Sequence, residues 1–189
     1  MAASTYHIQI KLITRRMRKT LSNRMCIGDI NDICALVQDE KDRSTREELY
    51  ALTLCEDERT ASNALWCLTH LCDDEWLYTK HEDLIDRALA ERNITKLRLI
   101  LTLLLRQPFN AESLRADFID FCVSRITACS FPYAIRALCI KLAFEQMKHH
   151  SELLAELKAA LELLEQESLS PGLASARRQV MKRMRKTIS

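Results

Sequence analysis

The stretch Leu97-Arg98-Leu99-Ile100-Leu101-Thr102-Leu103-Leu104-Leu105 decides the fold. Reduced to Leu97-Arg98-x-x-Leu101-x-x-x-Leu105, it returns 38 residues later as Ile135-Arg136-x-x-Cys139-x-x-x-Ala143. A looser copy, Ala61-Ser62-x-x-Leu65-x-x-x-Thr69, stands 36 residues before it. Residues four apart share one face of a helix, so each copy reads as one helix with one apolar stripe. A second helical stretch follows each copy, over 82–91, 111–127 and 151–166. A two-helix unit of 36–38 residues cannot bury its own apolar face. Stacked neighbours can, and the result is a continuous core shared between repeats.

Further helices extend the pattern in both directions. Tyr6, Ile10, Ile13, Met17 and Leu21 form a helical stripe over 5–22, while the alternation Ile8, Ile10, Leu12 also reads as a strand. Asp29 is placed to cap a helix over 30–40, and Ser44 with Glu47 forms a capping box for 45–54. Asp57 is placed to cap a helix running to about Leu71. The helix over 94–106 stops before Pro108. Asn110 opens 111–127, and Pro132 opens 132–148. Leu153, Leu154, Leu157, Leu161 and Leu164 mark 151–166, and Ser170-Pro171 starts a last helix over 171–187. Helices at 30–40, 57–72, 94–106 and 132–148 would then alternate with the others as two layers.

Composition agrees with an all-helical chain. The 189 residues include only two Gly and three Pro, too little turn punctuation for sheets or long loops. There is no Gly-rich phosphate loop and no dinucleotide fingerprint. No apolar run reaches the ~18 residues of a membrane span. None of the eight cysteines forms a C-x-x-C pair, and no secretory signal is apparent, so reduced thiols and a cytoplasmic location are expected.

The repeat resembles HEAT and armadillo-type repeats. Pro132, Ile135-Arg136 and the alanines Ala134, Ala137 and Ala143 are similar to a HEAT first helix. The segment Asp57-Glu58-Arg59-Thr60-Ala61-Ser62-Asn63-Ala64-Leu65-Trp66-Cys67-Leu68 resembles the corresponding stretch of small bacterial HEAT-like proteins. The first copy departs from the pattern, with Ser62 in place of Arg, and Lys96 precedes Leu97 without a proline start. The resemblance implies an all-α superhelix, a solenoid of about nine helices in antiparallel pairs. In similar repeats an arginine at the position of Arg98 and Arg136 stabilises the stack through carboxylates. The resemblance also implies a non-catalytic scaffold that binds a protein partner. HEAT-like alkylpurine DNA glycosylases are similar in fold and hold duplex DNA, so nucleic acid is the rival partner.

Charge divides the chain into three. Residues 1–28 carry six basic residues and no acid, residues 168–189 carry six and no acid, and 29–167 carry 16 basic against 26 acidic. The ends therefore read as a basic N-terminal cap and a basic C-terminal capping helix around the HEAT-like repeats of 29–167. Arg15-Arg16-Met17-Arg18-Lys19-Thr20-Leu21-Ser22 and Lys182-Arg183-Met184-Arg185-Lys186-Thr187-Ile188-Ser189 agree at six of eight positions. Both put Met and Leu or Ile on one face and cations elsewhere. Either the two stretches share no more than an amphipathic composition, or Arg15, Arg16, Arg18 and Lys19 at one end and Arg178, Lys182, Arg183, Arg185 and Lys186 at the other contact a polyanion or an acidic partner.

Catalytic and metal-binding chemistry finds little support. Cys67, His70, Cys72 and His81 are the metal candidates, but C-x-x-H-x-C with a distant His matches no standard ligand spacing. Two buried thiols and two surface histidines is the simpler expectation, so no metal and no cofactor is assigned. No local signature activates a cysteine nucleophile. His149-His150 reads as a solvated connector. Asp73, Asp74, Glu75, Glu82 and Asp83 gather around a loop near Trp76, where helix-cap charges explain them as well as an acid/base pair does. Trp66 reads as core. Trp76 either packs the junction or projects as a binding anchor.

Overall fold

A computed structural model of the chain describes residues 2–38, 43–110, 112, 114–164 and 169–188, with side chains from Leu12 onward except that of Ile188. Among these residues there are eleven helices and no strand: α1 (Ala2–Leu21), α2 (Ile27–Gln38), α3 (Ser44–Leu52), α4 (Glu58–His70), α5 (Asp74–Tyr78), α6 (His81–Ala90), α7 (Ile94–Leu105), α8 (Ala116–Thr127), α9 (Tyr133–Met147), α10 (Ser151–Leu163) and α11 (Pro171–Ile188). The chain is all-α, with two helices more than expected. The alternation at Ile8, Ile10 and Leu12 gives way to helix; the side chains of Tyr6, Ile8 and Ile10 fall outside the description, as do 39–40, 111 and 165–166 at the edges of expected helices.

Several starts form as their sequences dictate. Asp57 accepts from the Thr60 amide at 2.9 Å, Asn93 accepts from the amides of Thr95 and Lys96 at 2.9 and 3.2 Å, and Ser170 accepts from the Leu173 amide at 3.4 Å. Each satisfies an amide that the helix itself leaves open. Other starts move. Asp29 lies inside the first turn of α2 and its carboxylate accepts from the Cys26 amide at 2.8 Å, the reverse half of a capping box. Ser44 is the first helical residue, with Arg43 at the cap position. Asn110 does not open α8: its side chain accepts from the Glu112 amide at 3.0 Å, and the helix begins after Arg115. The stretch around Trp76 that read as loop contains α5.

The chain divides into two compact units, 1–73 and 74–189. In the first, α4 packs against α1, α2 and α3. Its apolar face buries Ala61, Ala64, Leu65, Cys67 and Leu68. Met17 and Leu21 of α1 and Ile30, Ile33 and Val37 of α2 are buried in the same unit. In the second, α9 packs against α7, α8, α10 and α11. It buries residues on every side, from Ile135 and Arg136 through Leu142, Phe144 and Met147, as a helix surrounded by neighbours must.

The repeat positions hold in part. Leu97 and Leu101, Ile135 and Cys139, and Ala61 and Leu65 are all buried, whereas only Ala143 of the three last positions is. Arg98 and Arg136 part company. Arg136 is 1% exposed and its Nε donates to the Ile126 carbonyl at 2.8 Å, while Arg98 is exposed. The expected equivalence fails: Arg136 reaches the end of the preceding helix, whereas Arg98 stands exposed. Replacing Arg136 with Met strands a carbonyl in the interior, so a urea titration should show a loss of about 2–3 kcal/mol. Arg98→Met should change stability by less than about 0.5 kcal/mol. Equal losses would restore the equivalence.

Candidate functional site

The two basic stretches are the terminal helices. In α1, Met17 and Leu21 are fully buried, and Arg15, Arg16, Arg18 and Lys19 are exposed. Among the described residues none of these four has an ion-pair partner. A cleft of about 730 Å³ lies beside α1, with Arg15, Arg18 and Lys19 on one wall and Glu56 and Asp57 from the α3–α4 connection on the other. The other flank has smaller clefts, where Arg16 lies near Asp29 and Asp32. In α11, Leu173, Ala176, Val180 and Met184 are buried. Arg178, Lys182, Arg185 and Lys186 are exposed, and a cleft of about 590 Å³ is lined by Arg178, Met181, Lys182 and Arg185 with Glu162 of α10.

Arg183 is employed differently from Arg15, Arg16, Arg18 and Lys19. Its Nη1 donates to Glu145 of α9 at 2.6 Å and its guanidinium sits 4.3 Å from the centre of the Phe144 ring. It ties α11 to α9. Burial pulls the Glu145 carboxyl upward, but hydrogen bonds from Lys148 and Arg183 outweigh it and hold the group below its ordinary value. Trp76 is 1% exposed, so it packs rather than projects. Trp66, expected in the core, is only half-buried.

The remaining chemical candidates dissolve into structure. Cys67 is buried and Cys72 exposed, while His70 is exposed and His81 buried, so the expected pairing of two buried thiols with two surface histidines is half right. His81 lies at 2.8 Å from Gln107 Oε1, with its ring 4.9 Å from that of Phe109. Among the described residues no group of three or more His, Cys, Asp or Glu is placed to hold a metal ion. Burial pushes the Cys67 thiol up to about 12, and burial together with Cys139 raises Cys122 well above a free thiol. The acidic cluster is engaged: Asp73 with Arg46 at 2.5 Å, Asp74 with Arg106, and Glu82 with Arg115 at 2.8 Å.

Sequence reasoning missed Arg115. It joins Glu82 and Asp86 of α6 to Asp117 of α8. Hydrogen bonds to Asp117, Asp86 and Glu82 raise its pKa further. The i, i+4 spacing of Glu82 and Asp86, which puts both on one helix face, was the available signal.

Two outcomes follow for solution. Thiol labelling of the native protein at pH 8 should modify Cys26, Cys72 and Cys129 quickly and leave Cys34, Cys67, Cys122 and Cys139 until unfolding, because burial keeps the reagent out. The Glu145 carboxyl is depressed in the folded state, so its contribution is complete above the unfolded value of about 4.3 and is lost as pH falls through the folded one. Arg183→Gln should therefore cost up to about 1 kcal/mol at pH 7. The difference from the parent protein should vanish in acid, as followed by thermal melts across pH.

No helix among the described residues is long and apolar enough to cross a membrane. No curated protein and no solved structure matches the chain. A HEAT repeat domain family matches residues 17–184, from the buried methionine of α1 to that of α11. With helix pairs packed around α4 and α9 and a match over most of its length, the chain belongs to the HEAT repeat domain family.

Proposed function

We propose that this chain is a non-catalytic protein-interaction module that meets its partner through the exposed cations of its two terminal helices. HEAT repeats are commonly protein-interaction scaffolds. The observation that carries the reading is a contrast in how the chain uses its cations. Arg46, Arg106 and Arg115 are paired with carboxylates inside the fold. Arg15, Arg16, Arg18 and Lys19 are held out from a helix whose other face is buried. The buried thiols and the paired acidic residues favour binding over catalysis.

Nucleic acid is the second reading, favoured by the complete lack of acidic residues in 1–28 and 168–189. Trimming the ends is a poor test. Met17 and Leu21 belong to the core, and each is worth about 1.5–3 kcal/mol when buried. The better experiment keeps the full chain and measures fluorescence anisotropy with a short DNA duplex at ~50 and ~200 mM salt, where several phosphate contacts change affinity by orders of magnitude. We expect no tight binding at either salt. Tight, salt-steep binding that disappears when Arg15, Arg16, Arg18 and Lys19 are all replaced by Gln would overturn the protein-module reading.

A further inference from the structure

Over their described residues the two basic octets match in local structure as well as in sequence. Their third residue is buried in each: Met17 at 0% and Met184 at 2% exposure. The sixth residue donates its hydroxyl to the carbonyl of the second: Thr20 to Arg16 at 3.3 Å, Thr187 to Arg183 at 3.2 Å. The first and fourth residues line a cleft beside their own helix. They are Arg15 and Arg18 over the cleft of about 730 Å³, and Lys182 and Arg185 over the cleft of about 590 Å³. Acidic residues from outside the terminal helix line each cleft, Glu56 and Asp57 of the α3–α4 connection in one and Glu162 of α10 in the other. An amphipathic composition shared by chance accounts for buried methionines. It does not account for the same two positions flanking a cleft in two separate units.

We propose that the clefts are two copies of one docking site, each taking an extended acidic segment of a partner polypeptide. The proposal rests on the protein-module reading and names the partner's chemistry. Each cleft is lined by a pair of cations four residues apart, Arg15 with Lys19 and Arg178 with Lys182. Four residues of helix rise about 6 Å. Same-face side chains of an extended strand repeat at about 6.6 Å. Carboxylates at alternate positions of such a strand therefore meet the two cations in register. The wall carboxylates repel acids of either kind, and a phosphate backbone has no donor to offset this at Glu56 or Glu162. A polypeptide has its own N–H groups to give, and charge-assisted hydrogen bonds of both signs hold it in the cleft.

The test is calorimetric titration of the full chain with a peptide of alternating Glu and Ser, about eight residues long and spanning roughly 26 Å when extended. Two peptides should bind per chain at low salt. The pair Arg15→Glu and Lys19→Glu should leave one site, the pair Arg178→Glu and Lys182→Glu should leave the other, and all four together should leave none. Unchanged thermal melts, expected since all four residues are exposed, confirm that the variants fold. A single site in the parent protein, no binding, or variants that bind as the parent does would overturn the two-cleft proposal and leave the module reading in place. Displacement of the peptide by duplex DNA at equal charge would overturn both.

Discussion

Every helix ends on carbonyls that it cannot satisfy, and this chain lacks the usual remedy. A glycine in the left-handed conformation just past the last turn folds the backbone over those carbonyls in many helices. Here both glycines, Gly28 and Gly172, are second residues of helices, and no described residue has a positive φ. Side chains take over. Asn63 of α4 donates to the carbonyls of Leu21 and Asn23 at the end of α1, at 2.7 and 3.0 Å. Arg136 of α9 serves the end of α8, and Arg177 of α11 donates to Leu161 near the end of α10 at 2.7 Å. Thr53, Thr69 and Thr79 cap their own helices with hydroxyls. A helix whose end is closed by its neighbour is specified together with that neighbour. This coupling is the bond between consecutive repeats, beyond the apolar contact that any two amphipathic helices share.

The cations divide by the same logic. Where a guanidinium can reach two elements at once, it is used to join them, as Arg46, Arg115 and Arg183 are. Each such pair is partly exposed and contributes modestly to stability. Its value lies in orientation, because a planar fork fixes direction as well as distance. Arg15, Arg16, Arg18 and Lys19, which face water with a hydrophobic helix behind them, have no such duty among the described residues. Their long stems lie along the surface while the charge stays solvated, which leaves it available to an outside ligand.

How much of this was legible depends on how local each cause is. Asp57, Asn93 and Ser170 act within three residues of themselves, and the sequence reveals them directly. The start of α8 was misplaced because Arg115 is fixed by Glu82 and Asp86. Arg98 and Arg136 look alike in sequence and differ in structure, because burial depends on what stands opposite. The octets were legible as charge and repetition. Their clefts were not, since Glu56, Asp57 and Glu162 come from other elements. His81 read as a surface histidine, but Gln107 and Phe109 enclose it.

The bond from Asn63 to the end of α1 limits how the chain can vary in length. Helical residues turn by about 100° each, so inserting or deleting one residue early in α4 would swing Asn63 to a different side. The end of α1 would lose its donors although every apolar residue remained in the sequence. A change of length in α4 ahead of Asn63 is thus constrained by an element separated from it by two helices in the chain, and not only by the apolar pattern of α4 itself.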